Sequence, residues 1–310
     1  MRYLIIFIYL FISIPGSAQF IAEEKVLDHS GLLKGTLILP ANKARFNLVV
    51  LQAGSGPTDR NGNSPLGVNA NSYRLLAEGL AEKNIATLTT DKRGIAASTS
   101  AGKKEADLRF ETYAEDMVAW IQLMRKDPRV KKIFIAGHSE GSLIGMLAAQ
   151  LEKTAGFISL AGAGESIDKI MVFQVERQSP ALAHTMDSLL TRLRNKEKLD
   201  KVPADLFSVL RPSIQPYMAS WMMHDPCGEI KKVTGRVLII QGTTDIQVER
   251  KQGEQLKACR PDATLRIIKG MNHILKEAPE DLNKNRATYA DRTLPLMPGL
   301  VDAIAKFVKK

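Results

Sequence analysis

From residue 24 onward, short apolar runs alternate with stretches in which apolar residues recur at helical spacing. Glu24 to Asp28 and Leu32 to Leu39 read as two strands joined by Ser30-Gly31, an antiparallel start. Phe46 to Gln52 is a third, strongly apolar strand, and it runs into a long stretch of turn residues from Ala53 to Asn63. Tyr73 to Lys83 predicts an amphipathic helix and Ile85 to Thr90 a strand, after which Asp91-Lys92-Arg93-Gly94 turns the chain out of the sheet. A helix over Phe110 to Lys126, a strand over Lys132 to Ala136, a helix from Ser142 to Lys153 and a strand from Gly156 to Gly162 follow. The rhythm then breaks. From Glu165 to about Val233 the pattern is helical and charged, with no convincing strand. It returns with the strand Arg236 to Gly242, a helix over Gly253 to Ala258, the strand Thr264 to Ile268 and a final helix from Leu300 to Val308.

Strands alternating with helices argue for an α/β fold, in which a mostly parallel sheet carries helices on both faces. Continuous apolar runs such as Lys132 to Ala136 suit strands buried on both sides. The interruption predicts a helical cap, residues 165–233, inserted into a core formed by residues 19–164 and 234–310. The residues before this core read as a targeting segment. Met1-Arg2 is a short positive region, Tyr3 to Ile14 is apolar except for Ser13, and Pro15 to Ala18 supplies small residues at −3 and −1. Residues 1–18 are therefore expected to be a signal peptide cleaved before Gln19, which implies a periplasmic or secreted protein; the alternative is an uncleaved N-terminal anchor. No later run is long and apolar enough to span a bilayer, so no stable membrane insertion is expected after cleavage.

Composition narrows the classes further. The formal charge of the 310 residues is +10, yet lysines and arginines are interspersed with acids, as in Arg192 to Lys198. Mixed runs of this kind mark solvated helix faces, whereas a nucleic-acid binder concentrates its charge and interleaves aromatics. No nucleic-acid partner is expected. Cys227 and Cys259 are the two cysteines; in an oxidising compartment they form either one disulfide or two buried thiols. No His/Cys/Asp cluster has metal-ligand spacing, and no metal or organic cofactor is expected.

The chemistry sits at Gly137-His138-Ser139-Glu140-Gly141, a G-x-S-x-G turn between a strand and a helix. Such a turn is a nucleophile elbow, which presents the serine hydroxyl above the sheet edge; the flanking glycines let strand and helix nearly touch. A serine hydroxyl needs an adjacent base, itself oriented by an acid, and in this setting they follow it along the chain. His273, on the loop after the last strand, is the preferred base over His29, His138, His184 and His224. Asp245, just past the Arg236 to Gly242 strand, is the preferred acid, with Glu165 as runner-up. Two backbone amides are expected to hold the oxyanion of an acyl transfer. One is that of Glu140; the other is that of Ser55 in Gly54-Ser55-Gly56, with Gly54 as the alternative. The same loop lacks the lysine of a phosphate-binding P-loop.

The chain resembles an α/β-hydrolase, in the branch that includes bacterial carboxylesterases and serine-aminopeptidase-like hydrolases. The resemblance rests on Gly137-His-Ser-Glu-Gly141, Gly242-Thr-Thr-Asp245 and Asn272-His273, and on the likeness of Ala53 to Gly62 to the oxyanion loop of a subset of bacterial esterases. It implies a serine hydrolase acting on a small-molecule ester or short acyl substrate. A peptidase or amidase with the same triad is the alternative, and a silent binding protein on this fold the less favoured one. Met171, Phe173, Phe207, Tyr217, Trp221, Met222 and Met223 are the apolar candidates for an acyl pocket in the cap.

Overall fold

The computed structural model describes residues 20–310, so the expected signal peptide and its cleavage point lie outside the described residues. Eight strands form one sheet: β1 (Phe20–Asp28), β2 (Leu32–Pro40), β3 (Phe46–Gln52), β6 (Ile85–Thr90), β7 (Val130–His138), β8 (Gly156–Leu160), β9 (Arg236–Gly242) and β10 (Thr264–Ile268). Their spatial order is β1-β2-β6-β3-β7-β8-β9-β10. Only β2 runs against the others: it pairs antiparallel with β1 and with β6, and every later pairing is parallel. A separate two-stranded hairpin, β4 (Asn63–Ser64) with β5 (Val68–Asn69), sits in the long loop after β3.

Alternation along the central strands sorts the core into two layers, because successive side chains of a strand point to opposite faces. Leu48, Val50, Ile133, Ile135, Phe157, Val237 and Ile239 pack beneath α2 (Phe110–Arg125), α3 (Glu140–Leu151) and Leu256 of α9 (Arg250–Cys259). Val49, Leu51, Phe134, Ala136, Ile158, Leu160, Leu238 and Ile240 pack against α1 (Ser72–Glu82) and α11 (Leu300–Lys309). These strand residues are almost wholly removed from water. Each large apolar side chain so buried contributes about 1.5–3 kcal/mol.

Between β8 and β9 the chain makes a helical excursion: α4 (Ile167–Glu176), α5 (Pro180–Arg194), the short α6 (Phe207–Leu210), α7 (Gln215–Met222) and α8 (Pro226–Lys232). Its apolar side chains Met186, Leu190, Leu193, Met218 and Met222 join the α2–α3 layer in one continuous cluster. Three of its helices have readable starts: Ser179 accepts from the Leu182 amide and Pro180 opens α5, Pro216 lies in the first turn of α7, and Asp225 accepts from the Cys227 and Gly228 amides before α8. Cys227 and Cys259 are bonded to each other, which joins α8 to α9 across 32 residues with Cα atoms 5.4 Å apart. Beside this link the Arg260 guanidinium donates to the carbonyls of Ile230, Lys231 and Val233, the orphan acceptors at the end of α8. At the other junction Gln252 of α9 accepts from the amides of Gly164 and Glu165. Near the C-terminus, the short α10 (Leu282–Ala287) packs beside the loop after β10. Among the described residues no helix is long and apolar enough to cross a membrane.

Candidate active site

Ser139 is the single residue between the end of β7 and the start of α3. Its φ of 55° and ψ of −121° lie where a side-chain-bearing residue is strained by about 1–3 kcal/mol. Its neighbours hold it there. The Ser139 amide donates to the Leu160 carbonyl at 2.9 Å, and the Ser142 amide donates to the Ser139 carbonyl at 2.9 Å. A Cβ on Gly137 would stand 2.0 Å from the Gly141 carbonyl oxygen, and one on Gly141 would stand 2.5 Å from that of Gln52. The two glycines thus let β3, β7 and α3 converge under the serine.

His273 lies on the loop after β10, buried, with Nδ1 2.8 Å from Oδ2 of Asp245. That oxygen also accepts from the Gln241 side-chain amide, while Oδ1 accepts from the amides of Gln247 and Val248, both at 2.9 Å. With Gln241, Gln247 and Val248 donating to it, Asp245 acts as an acceptor and Nδ1 of His273 donates to it, so in the neutral imidazole the lone pair is on Nε2. Asn285 ties the two loops together: its side chain donates to the Thr244 carbonyl at 2.8 Å and accepts from Asn272. Glu165, the runner-up acid, instead accepts from Gln252 and makes no hydrogen bond to His273. Ser139 and His273 line one cavity, although among the described residues the Ser139 hydroxyl makes no hydrogen bond.

The ring of His138 turns away from the hydroxyl beside it. The Gly54 amide donates to Tyr73 Oη at 3.1 Å, and that hydroxyl lies 2.8 Å from Nδ1 of His138. Since the phenol accepts from Gly54, its own proton goes to Nδ1, and Nε2–H of His138 donates to the His273 carbonyl at 2.8 Å. One directed chain therefore runs from the loop after β3 to the backbone of His273. Burial, and then the neighbouring His273, push the His138 pKa down to about 3, so this imidazole is neutral. Burial pushes the Tyr73 phenol up. Because the Gly54 N–H is engaged by Tyr73, it is not free for another acceptor. The Ser55 N–H makes no hydrogen bond among the described residues, and that of Glu140 is the first amide of α3, without an intrahelical partner.

The Glu140 carboxylate, for which the sequence holds no expectation beyond its amide, sits in a buried network. Lys92 Nζ donates to Glu140 Oε2 at 3.0 Å and to the Gly54 carbonyl at 2.6 Å, and Tyr217 Oη of α7 donates to Glu140 Oε1 at 2.7 Å. The other charges of the turn after β6 are buried too. Asp91 accepts from the backbone and side chain of Arg60, fixing the loop after β3, and Arg93 donates to both oxygens of Asp116. Arg93 also donates to three carbonyls, of His29, Ser30 and Ala101.

The cavity has a volume of about 860 Å³ and is walled by the loop after β3, the Ser139 and His273 loops, and the helical excursion. Of the apolar candidates read from the sequence, Met171, Tyr217 and Trp221 line it. Met222 is core instead, Phe173 lies under Arg177 and Lys251, and Phe207 and Met223 point to solvent. Tyr73, Lys92, Gln241 and Asn285 escaped sequence reasoning. Only Lys92 left a signal there, as one of three charges in a four-residue turn directly after a buried strand.

The chain is similar to several known proteins. Residues 66–279 match the family model of the hydrolases described as serine aminopeptidase, S33. Esterase EstD of Thermotoga maritima is 28% identical over 261 residues, which cover 82% of this chain; the chain spans 60% of the length of that relative. The structure of Est1E from Butyrivibrio proteoclasticus with bound ferulic acid superimposes with a TM-score of 0.60 at 20% identity, covering 92% of this chain and 96% of that one. The α/β hydrolase GrgF from Penicillium superimposes with a TM-score of 0.54 at 20% identity, covering 82% and 91%. Likeness to solved structures at this identity establishes the fold. The family match, which spans more than half of the chain and includes Ser139, Asp245 and His273, establishes the kinship: this chain belongs to the serine aminopeptidase S33 family of α/β hydrolases.

Proposed function

We propose that the protein is an exported serine hydrolase that cleaves carboxylic esters, with Ser139 as nucleophile, His273 as base and Asp245 as the orienting acid. The observation that carries this reading is the 2.8 Å bond from His273 Nδ1 to Asp245, which leaves Nε2 able to take a proton in the cavity that Ser139 lines. His273 removes the Ser139 proton as Oγ attacks the ester carbonyl. The oxyanion is held by the amides of Ser55 and Glu140; collapse expels the alcohol, which takes its proton from His273. Water, deprotonated by His273, then attacks the acyl-enzyme and frees the acid and Ser139.

An ester fits the walls of the cavity better than an aminoacyl substrate. An aminopeptidase must hold a free ammonium near the scissile bond. Here Glu105 and Glu140 are paired with Arg211 and Lys92, which leaves Glu165, hydrogen-bonded at one oxygen by Gln252, as the one cavity carboxylate without a cation partner among the described residues. Glu165→Gln should therefore leave ester hydrolysis intact, whereas an aminopeptidase anchoring its substrate there would lose activity. Residues 165–233 act in this reading as the cap over the site. The protein should hydrolyse p-nitrophenyl esters faster than aminoacyl anilides, and Ser139→Ala should abolish turnover. A fluorophosphonate should label Ser139 in the wild type and fail to label His273→Ala. Full esterase activity in Ser139→Ala would refute the assignment.

A further inference from the structure

Four tyrosines line the cavity: Tyr73, Tyr113, Tyr217 and Tyr289. Three have hydrogen-bonded hydroxyls. Tyr73 is engaged by Gly54 and His138, Tyr217 donates to Glu140, and Tyr289 accepts from Gln247. The Tyr113 hydroxyl makes no hydrogen bond among the described residues, although the residue is only 7% exposed. It is an unpartnered polar group of α2 in a cavity that Leu108, Leu143, Met218 and Trp221 line together with the ion-paired Lys92, Arg93, Glu105 and Arg211. A phenylalanine would pack there without leaving a hydroxyl unpaired, so the packing does not call for the oxygen.

From this we infer, resting on the ester reading above, that Tyr113 forms a polar subsite selecting acyl groups that carry an uncharged, hydrogen-bond-accepting oxygen within an otherwise apolar chain. The chemistry of the surroundings narrows the class. Lys92 stands over the Tyr113 ring, 5.2 Å from its centroid, but its charge is already neutralised by Glu140. Arg93 and Arg211 of the same cavity are likewise paired, with Asp116 and Glu105, and Lys103, which has no ion-pair partner among the described residues, is exposed to water. A carboxylate on the acyl chain would therefore lose its water without gaining a buried free cation, whereas an ether, hydroxyl or ketone oxygen needs only a donor. Tyr113 remains that donor throughout the working range, since burial and the nearby Glu140 charge push its phenol up. A site built to bond an oxygen discriminates against the analogue lacking it more sharply than an apolar pocket discriminates by size, because the buried polar group is then left unpaired.

The test compares p-nitrophenyl alkanoates with their oxa-analogues, in which a single methylene at each position beyond the α-carbon is replaced by an ether oxygen. For at least one position, the ratio of kcat/KM between oxa-ester and alkanoate should be on the order of tenfold or more in the wild type. In Tyr113→Phe that ratio should collapse to the value set by the intrinsic reactivity of the two esters in alkaline solution. The readout is the ratio, so a general change of rate in the variant does not enter it. Hydrolysis by the wild type with no preferred oxa-position, or a preference kept in Tyr113→Phe, overturns the subsite alone. Failure of the wild type to hydrolyse any ester overturns the ester reading and the subsite together.

Discussion

His138 gives the sharpest quantitative expectation, because it is a buried imidazole whose partners require it to be neutral. In the folded protein its pKa is held down to about 3, against 6.5 for an exposed histidine. Between these values the unfolded chain binds more protons than the folded one, so acid favours unfolding. The contribution is fully present above pH 7, is lost as the pH falls through 6.5, and stops changing near 3. Because the folded value lies well below pH 5, the loss at that pH is fixed by the unfolded histidine. It amounts to about 2 kcal/mol relative to pH 8. His138→Gln keeps a side-chain amide at the site and removes the titration. Urea unfolding of both proteins at pH 8, 7, 6 and 5 measures the effect. Carboxylates and other histidines contribute to both curves and cancel in the difference. The gap between wild type and variant should shift by about 2 kcal/mol from pH 8 to pH 5, in favour of the variant at the acid end. Parallel curves, agreeing within about 0.5 kcal/mol over that range, would refute the burial argument.

Two further expectations concern the scaffold. Replacing both cysteines, Cys227→Ser with Cys259→Ser, opens a loop of 32 residues and should destabilise the protein by about 3–4 kcal/mol on the chain-entropy account. By calorimetry this would appear as a Tm lower by roughly 6 °C, and an unchanged Tm would contradict it. Tyr73→Phe strands the buried Gly54 amide and Nδ1 of His138, and should lower stability by about 1–3 kcal/mol for each group left unpaired. Ester kcat/KM should fall with it, because the Gly54–Ser55 loop loses a tether; equal stability and rate in the variant would show that the chain of bonds positions nothing.

Much of the frame is legible in the sequence because local chemistry dictates it. Continuous apolar runs became the central strands, and the need for two glycines around Ser139 follows from how closely β3, β7 and α3 approach. The fold carries Asp245 and His273, each just past a strand, to hydrogen-bonding distance across 28 residues. Elements without a periodic signal were not readable. The β4–β5 hairpin has strands of two residues, too short to show alternation, and α9 begins at Arg250, in a polar run before the apolar positions start. Other contacts could not be read because they depend on the finished fold. Lys92 meets Gly54 and Glu140 across 38 and 48 residues, and Tyr73 meets His138 across 65. A run of charges in a turn looks solvated until the sheet, the loop after β3 and α2 close around it. Glu165 shows the reverse: its place after a strand fits an acid, but Gln252 claims its side chain.

Both ends of the helical excursion are fastened to one element of the core. Gln252 binds its start, while Cys259 and Arg260 bind its finish, all on or next to α9. The two anchor points are seven residues apart, or about 10 Å along the helix axis. Where the excursion leaves and rejoins the sheet is therefore set by α9, whatever the intervening 60-odd residues contain. Asp245 and His273 lie outside the segment, on the loops after β9 and β10, whereas the segment itself is bound into the core through the α2–α3 cluster and through Tyr217 on Glu140.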